Sequence, residues 1–223
     1  MAKIITNPTA GKIGLQVFYP GRNGQVVRQW VVPANPKTGD QLLVRSHLTQ
    51  VTRAWGSLTE LQRQAWISAA LNYNTNPVLG QSGKLTGAQL HTKINCALLA
   101  IGAAVVTLPP AAPSFAGTGC TALEITNTAG TIAIKLATSS TPPDGTMLRG
   151  SAPQSAGTYR AISLRLLGTL ESPVGGKVDI TAQYTAKFGA PVAGQKLFVS
   201  VTETFNGWEG TPVLFSGVVP AAA

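Results

Sequence analysis

Three T-x-x-Q tetrads constrain this chain more than any other feature. They begin at Thr38, Thr59 and Thr86 and end at Gln41, Gln62 and Gln89. A Thr hydroxyl at the N-cap accepts the N3 amide, and a Gln at N3 reaches back to the N-cap amide, so each tetrad has the spacing of a capping box. Apolar residues then recur at helical intervals. Val44, Leu48, Val51 and Trp55 follow the first box, and Leu61, Ala65 and Ala69, with Trp66 beside them, follow the second. Leu90, Ile94, Ala97, Leu98 and Ile101 follow the third, and Leu85 and Leu90 hold the two positions of a hydrophobic staple. The spacing predicts helices over about 39–55, 60–73 and 87–103.

The chain before the first helix reads as β structure. Ile13, Leu15, Val17 and Tyr19 alternate on one face, Asn23-Gly24 has the chemistry of a two-residue hairpin turn, and Val26, Arg28, Trp30 and Val32 return. That register sets Val17 opposite Trp30 and Leu15 opposite Val32. A lone hairpin is marginal in water, so this arm is expected to lie on the helices, join another sheet or pair with a neighbouring subunit. After the helices, Pro109, Pro110 and Pro113 mark 107–119 as an extended linker. The period then changes to two. Leu123 and Ile125; Ile132, Ile134 and Leu136; Ile162, Leu164 and Leu166; Val178, Ile180, Ala182 and Tyr184; Leu197, Val199 and Val201; and Val213, Phe215 and Val219 read as short strands between turn clusters. The expected fold class is α+β and multidomain. It comprises a β-hairpin arm at 1–36, a three-helix unit at 37–106, the linker, and an antiparallel fibronectin-III/Ig-like β-sandwich at 120–223. No Cys pair brackets a Trp, so the disulfide type of immunoglobulin is excluded.

Composition narrows the function. Hydrophobic residues make up 44% of the chain and charged residues 11%, the balance of a packed protein rather than a disordered one. The net charge of +9 is unevenly placed: 1–106 carries five Lys and five Arg against Asp40 and Glu60. A basic half suits an anionic neighbour, with Arg22, Arg45, Arg53 and Arg63 as candidate contacts, although a solvated basic surface is the plainer reading. Nucleic acid as that neighbour needs exposed aromatics beside the arginines. Trp55 and Trp66 fall in or beside apolar stripes and read as core, while Trp208, in the last hairpin turn, is expected to be exposed. The most apolar run, 96–108, is too short to span a bilayer. The N-terminus lacks the apolar region of a signal peptide, so synthesis in the cytoplasm is expected.

No catalytic, cofactor or metal site is expected, and the chain does not read as an enzyme. His47 and His91 lie on different helices without partners at metal spacing, and a lone helical His is usually a surface or boundary residue. Cys96 and Cys120 read as buried free thiols, with a disulfide left open. Asp40 and Glu60 sit in first helical turns, where the dipole accounts for them. Glu203 and Glu209 flank the last hairpin and form a carboxylate dyad only if the fold brings them together. Gly80 to Lys84 lacks the spacing of a phosphate loop.

Asn35, Pro36, Thr38, Gln41, Trp55, Leu58, Thr59, Gln62, Arg63 and Trp66 stand in the order N-P-x-T-x-x-Q, then W, then L-T-x-x-Q-R-x-x-W. This segment, over about 35–105, resembles uncharacterised bacterial and phage-associated proteins that look like particle-structure proteins, often with appended β domains. The resemblance implies an assembly role. The expected function is a structural subunit that self-assembles into a virion, virion-like particle or filament, with itself and other particle proteins as partners. Ile13, Leu15, Val17, Tyr19, Arg28, Trp30 and Val32 are the expected intersubunit contacts. The alternatives are a monomeric glycan- or surface-binding module using the sandwich loops, and a basic nucleic-acid-associated protein.

Overall fold

The computed structural model describes residues 10–21, 24–75 and 82–222 and is a mixed α+β fold. Its contacts divide the chain into two compact units, Met1–Leu43 and Val44–Ala223. The division falls inside the first helix rather than at 36 or within 107–119.

The first unit is an antiparallel meander of β1 (Gly11–Ile13), β2 (Gln16–Gly21) and β3 (Gly24–Gln29). The expected single strand through Ile13, Leu15, Val17 and Tyr19 is broken. Gly14, at φ 59°, turns the chain in a conformation that glycine adopts without steric penalty. Ile13 then pairs with Gln16 and Lys12 with Val17, so Ile13 and Val17 lie on opposite faces. The hairpin register also differs from expectation. Gly21 pairs with Gly24, and Arg22 and Asn23 lie outside the described residues. Gly24, at φ 113°, opens β3 instead of closing the turn. Val17 therefore faces Arg28 rather than Trp30, and Leu15 accepts the Trp30 amide at 2.7 Å rather than facing Val32.

Helices α1 (Gly39–Ser57), α2 (Glu60–Ala70) and α3 (Gly87–Ala100) start where the capping boxes place them. Both reciprocal bonds of the box form at Thr59/Gln62 and Thr86/Gln89, and Thr38 Oγ1 accepts the Gln41 amide at 3.4 Å. Arg63 donates to the Gly56 carbonyl at 2.9 Å, holding the corner between α1 and α2 at a C-terminal carbonyl, where a cation is favoured. Helices α2 and α3 pack closely at Gly87, where a Cβ would stand 2.9 Å from the Ile67 backbone nitrogen. The buried faces are not all the expected ones. On α2, Trp66 and Ala70 are buried and Leu61 is open; on α1, Val51 is buried while Val44 is 65% and Leu48 49% exposed. The indole has the largest apolar surface on α2, and its burial sets the rotation of that helix.

The remaining strands are β4 (Cys120–Thr128), β5 (Thr131–Thr138), β6 (Met147–Gly150), β7 (Gln154–Ser155), β8 (Arg165–Thr169) and β9 (Lys177–Asp179). Helix α4 (Thr181–Phe188) follows, then β10 (Gln195–Thr202), β11 (Thr204–Phe205), β12 (Trp208–Glu209) and β13 (Val213–Val218). One sheet has the order β4-β5-β9; another runs β13-β10-β6-β8, with β7 also on β10. Two expected strands are corrected. Ile162 and Leu164 lie in an exposed loop ahead of β8. The strand expected through Val178, Ile180, Ala182 and Tyr184 ends at Asp179, whose carboxylate accepts the Thr181 amide at 2.9 Å and starts α4. Ile180, Tyr184 and Phe188 recur every four residues, so the helix buries the apolar side chains that a strand would have alternated.

Side chains of both sheets meet in one buried cluster that includes Ile134, Leu136, Leu148, Val199 and Val201. Tyr184 joins it, and its hydroxyl donates to the Ser151 carbonyl at 2.7 Å; burial pushes the phenol pKa up to about 12. A second cluster gathers Leu58, Trp66, Leu90, Ile94 and Leu98 with Trp208. Trp208 is thus buried among the helices, contrary to expectation. Gly207, at φ 80°, lets its hairpin approach so closely that a Cβ would come 2.6 Å from the Ile94 carbonyl oxygen.

Residues 107–119 form neither helix nor strand, and the stretch is fastened to its surroundings. Asn95 accepts the Val106 amide at 2.7 Å and donates to the Val106 carbonyl at 3.3 Å. Trp66 donates to the Thr107 carbonyl, Trp208 to the Pro110 carbonyl, and the Gly117 amide to the Glu203 carboxylate. Prolines have no N–H and break the ladder, so side chains meet the polar groups that remain. Asn95→Ala leaves both Val106 groups without that partner. It is expected to lower stability by about 2–3 kcal/mol, read as a lower urea midpoint at unchanged slope.

Candidate interaction surface

The first unit is distinguished by what it leaves open. None of the described residues from 10 to 43 is buried. Ile13 is 63% exposed, and Leu15, Tyr19, Trp30, Val31 and Val32 are also open. Cross-strand partners share a face, so Lys12, Val17, Tyr19, Val26 and Arg28 lie on one side, and Ile13, Gln16, Phe18, Gln25, Val27 and Gln29 on the other. The Phe18/Val27 and Tyr19/Val26 pairs join aromatic to β-branched residues, a favourable combination. The Lys12 ammonium sits 3.3 Å from the Trp30 ring centre, a cation–π contact across the sheet.

Of the expected intersubunit residues, Ile13, Leu15, Tyr19, Arg28, Trp30 and Val32 are therefore exposed and Val17 is half-buried, but they do not form the single apolar face the sequence suggested. The expected anion contacts are not gathered. Arg22 lies outside the described residues. Arg45 and Arg53 are exposed on α1, about 12 Å apart along its axis at the rise of an α-helix. Arg63 faces the Gly56 carbonyl.

The second unit has an apolar groove of about 390 Å³, walled by Val44 and Leu48 of α1, Cys96 and Ala100 of α3, and Leu166 of β8. Its rim carries Lys93, His47 and an Arg149–Glu209 ion pair at 3.0 Å. Glu203 is buried on the Gly117 amide, so the two carboxylates of the last hairpin have separate partners and do not face each other as a dyad. Cys96 and Cys120 are free thiols, and burial pushes both pKa values up, which disfavours the reactive thiolate. Among the described residues, no three His, Cys, Asp or Glu side chains are placed to hold a metal ion, and no helix is long and apolar enough to cross a membrane.

His91 is fully buried, contrary to the expectation of a boundary residue. Its ring lies 5.4 Å from Trp55 on α1 and 5.1 Å from Trp66 on α2, and neither ring nitrogen has a hydrogen-bond partner among the described residues. His91 and Asn95 are one turn apart and in phase with Ile94 and Leu98, which is the sequence signal that both point inward.

No protein family, curated protein or solved structure matches the chain.

Burial moves the His91 pKa below the ordinary imidazole value, because an uncompensated charge is penalised there. The unfolded chain then binds a proton at a pH where the folded chain does not. Stability is full above the unfolded value of about 6.5 and falls as pH drops from there toward the folded pKa. The melting temperature is expected to decline between about pH 7 and pH 5, with a shallower decline in His91→Phe.

Proposed function

We propose that this protein is a non-catalytic structural subunit that assembles with copies of itself into a virion, virion-like particle or filament, through its N-terminal β arm. The observation that carries this reading is the arm's three-stranded sheet, which has two apolar-bearing faces and no buried residue among those described. Three strands become stable when a hydrophobic face is covered. In a multi-copy particle, neighbouring subunits supply that cover. The resemblance of 35–105 to uncharacterised bacterial and phage-associated proteins that look like particle-structure proteins supports the same reading.

The β part of the second unit is read as a fibronectin-III-like sandwich. With β4, β5, β6, β8, β9, β10 and β13 taken as seven successive strands, one sheet orders them first-second-fifth and the other seventh-sixth-third-fourth. Relative to an immunoglobulin constant domain, only the fourth strand has changed sheets. Such a domain serves as a stable surface module in a particle. A second reading, a monomeric surface- or glycan-binding module, draws on the open loop before β8, where Tyr159 and Ile162 are exposed.

Size-exclusion chromatography with light scattering, followed by electron microscopy, separates the two. The full chain is expected to associate as concentration rises and to give regular particles or filaments; a persistent monomer would count for the binding module. Deleting 1–32 is expected to abolish association while leaving the melting temperature of the remainder unchanged. A truncated chain that still assembles normally would remove the arm from the mechanism.

A further inference from the structure

The apolar groove of the second unit exists because α3 does not fill it. Lys93, Cys96, Ala97 and Ala100 line it and recur at the spacing of one helical face. Three of these four side chains are short, so space remains in front of that face. Val44 and Leu48 of α1 and Leu166 of β8 wall the space without closing it, and Val44 stays 65% and Leu48 49% exposed. The strip from Lys93 to Ala100 is about 10 Å long at the rise of an α-helix.

Size and charge say what fits there. At about 390 Å³ the groove falls in the range of small-molecule sites. A stable protein partner needs about 800 Å² of surface on each side, far more than a strip of this length offers. The lining is apolar, so the enclosed part of a ligand is apolar too. The two cations at the mouth differ in what they already hold. Arg149 is paired with Glu209 at 3.0 Å. Lys93 is exposed and has no ion-pair partner among the described residues. Its methylenes can lie along the groove while the ammonium stays in water. The complement of this arrangement is a hydrocarbon chain that ends in one negative charge. The arm of a second copy does not meet that description, since its described residues from 10 to 37 include Lys12, Arg28 and Lys37 and no carboxylate.

We propose that this groove binds a medium-chain alkyl carboxylate, with the chain along Cys96, Ala97 and Ala100 and the carboxylate paired with Lys93. The site does not involve the arm, so it stands or falls apart from the assembly reading.

The test titrates the full chain with decanoate, octanoate and decanol by calorimetry. In parallel, alkylation of Cys96 by iodoacetamide is followed by mass spectrometry, with Cys120 as the internal control; burial raises both thiol pKa values, so the reaction is run at alkaline pH. Decanoate is expected to saturate and to slow alkylation of Cys96 about fivefold or more, leaving Cys120 unaffected. Octanoate is expected to bind about fivefold more weakly, because it buries two fewer methylenes. Lys93→Gln, at an exposed position, is expected to weaken decanoate about threefold and to leave decanol unchanged. Ala100→Phe, which fills the groove from a half-exposed position, is expected to abolish binding of both with the melting curve unchanged. Decanoate binding that does not saturate, equal protection of the two cysteines, or a decanoate affinity unchanged in Lys93→Gln would overturn the site. Protection of Cys96 that grows with protein concentration alone would give the groove to a second copy and overturn it as well.

Discussion

The second unit depends on how it satisfies one stretch of backbone. Residues 106–117 carry three prolines and run between the helices and the strands without entering a helix or a sheet ladder. Asn95, fully buried, grips the amide and carbonyl of Val106 and adds a bond to the His91 carbonyl. Two indoles and a carboxylate continue the fastening at Thr107, Pro110 and Gly117. Trp66 and Trp208 also belong to the buried helical cluster, and Asn95 and Glu203 are themselves buried. The same side chains thus fill the core and hold the proline-rich stretch. Trp208 shows why helices and strands here form one compact unit: it leaves a β-hairpin, enters the cluster around Trp66 and Leu90, and holds the Pro110 carbonyl. A boundary drawn at the prolines would cut through that cluster.

What was legible in the sequence was local chemistry. The three helix starts could be read because a capping box needs only four residues, and Thr59 and Thr86 form both of its bonds. The buried face of each helix could not, because it is decided by residues far along the chain. Leu61 heads a reasonable stripe, but the cluster is organised by Trp66 and by Trp208, 142 positions away, so α2 turns its indole inward and Leu61 out. Period-two reading failed where two periods coincide: Val178, Ile180, Ala182 and Tyr184 alternate, but Ile180, Tyr184 and Phe188 also mark successive helical turns. Asp179 decides between them with one hydrogen bond. The two strands pair antiparallel in a register other than the expected one, because Gly24 belongs to β3 and pairs with Gly21.

The candidate surface was legible as residues but not as geometry. Trp30 was expected at an intersubunit contact; the Lys12 ammonium covers one face of its ring. Arg63 seemed one of several basic contacts and is turned to the end of α1. His91 seemed peripheral and is enclosed by two indoles. In each case the side chain is claimed by an intramolecular partner that no local pattern announces.

The two units also differ in what stabilises them. In the second, apolar side chains of both sheets and of three helices disappear into buried clusters, and polar groups of the proline-rich stretch are met from within. In the first, the favourable terms are cross-strand pairs such as Phe18 with Val27 and one exposed cation–π contact. A cross-strand pair contributes less than the entropy lost in ordering the two residues that make it. Hydrogen bonds of an exposed ladder exchange for bonds to water at little net gain. A sheet of this composition therefore gains most of its order from burial, and every described residue of the unit is still open or half-open. A cover over Phe18, Val27, Tyr19 and Val26 would supply stabilisation that the strands lack by themselves.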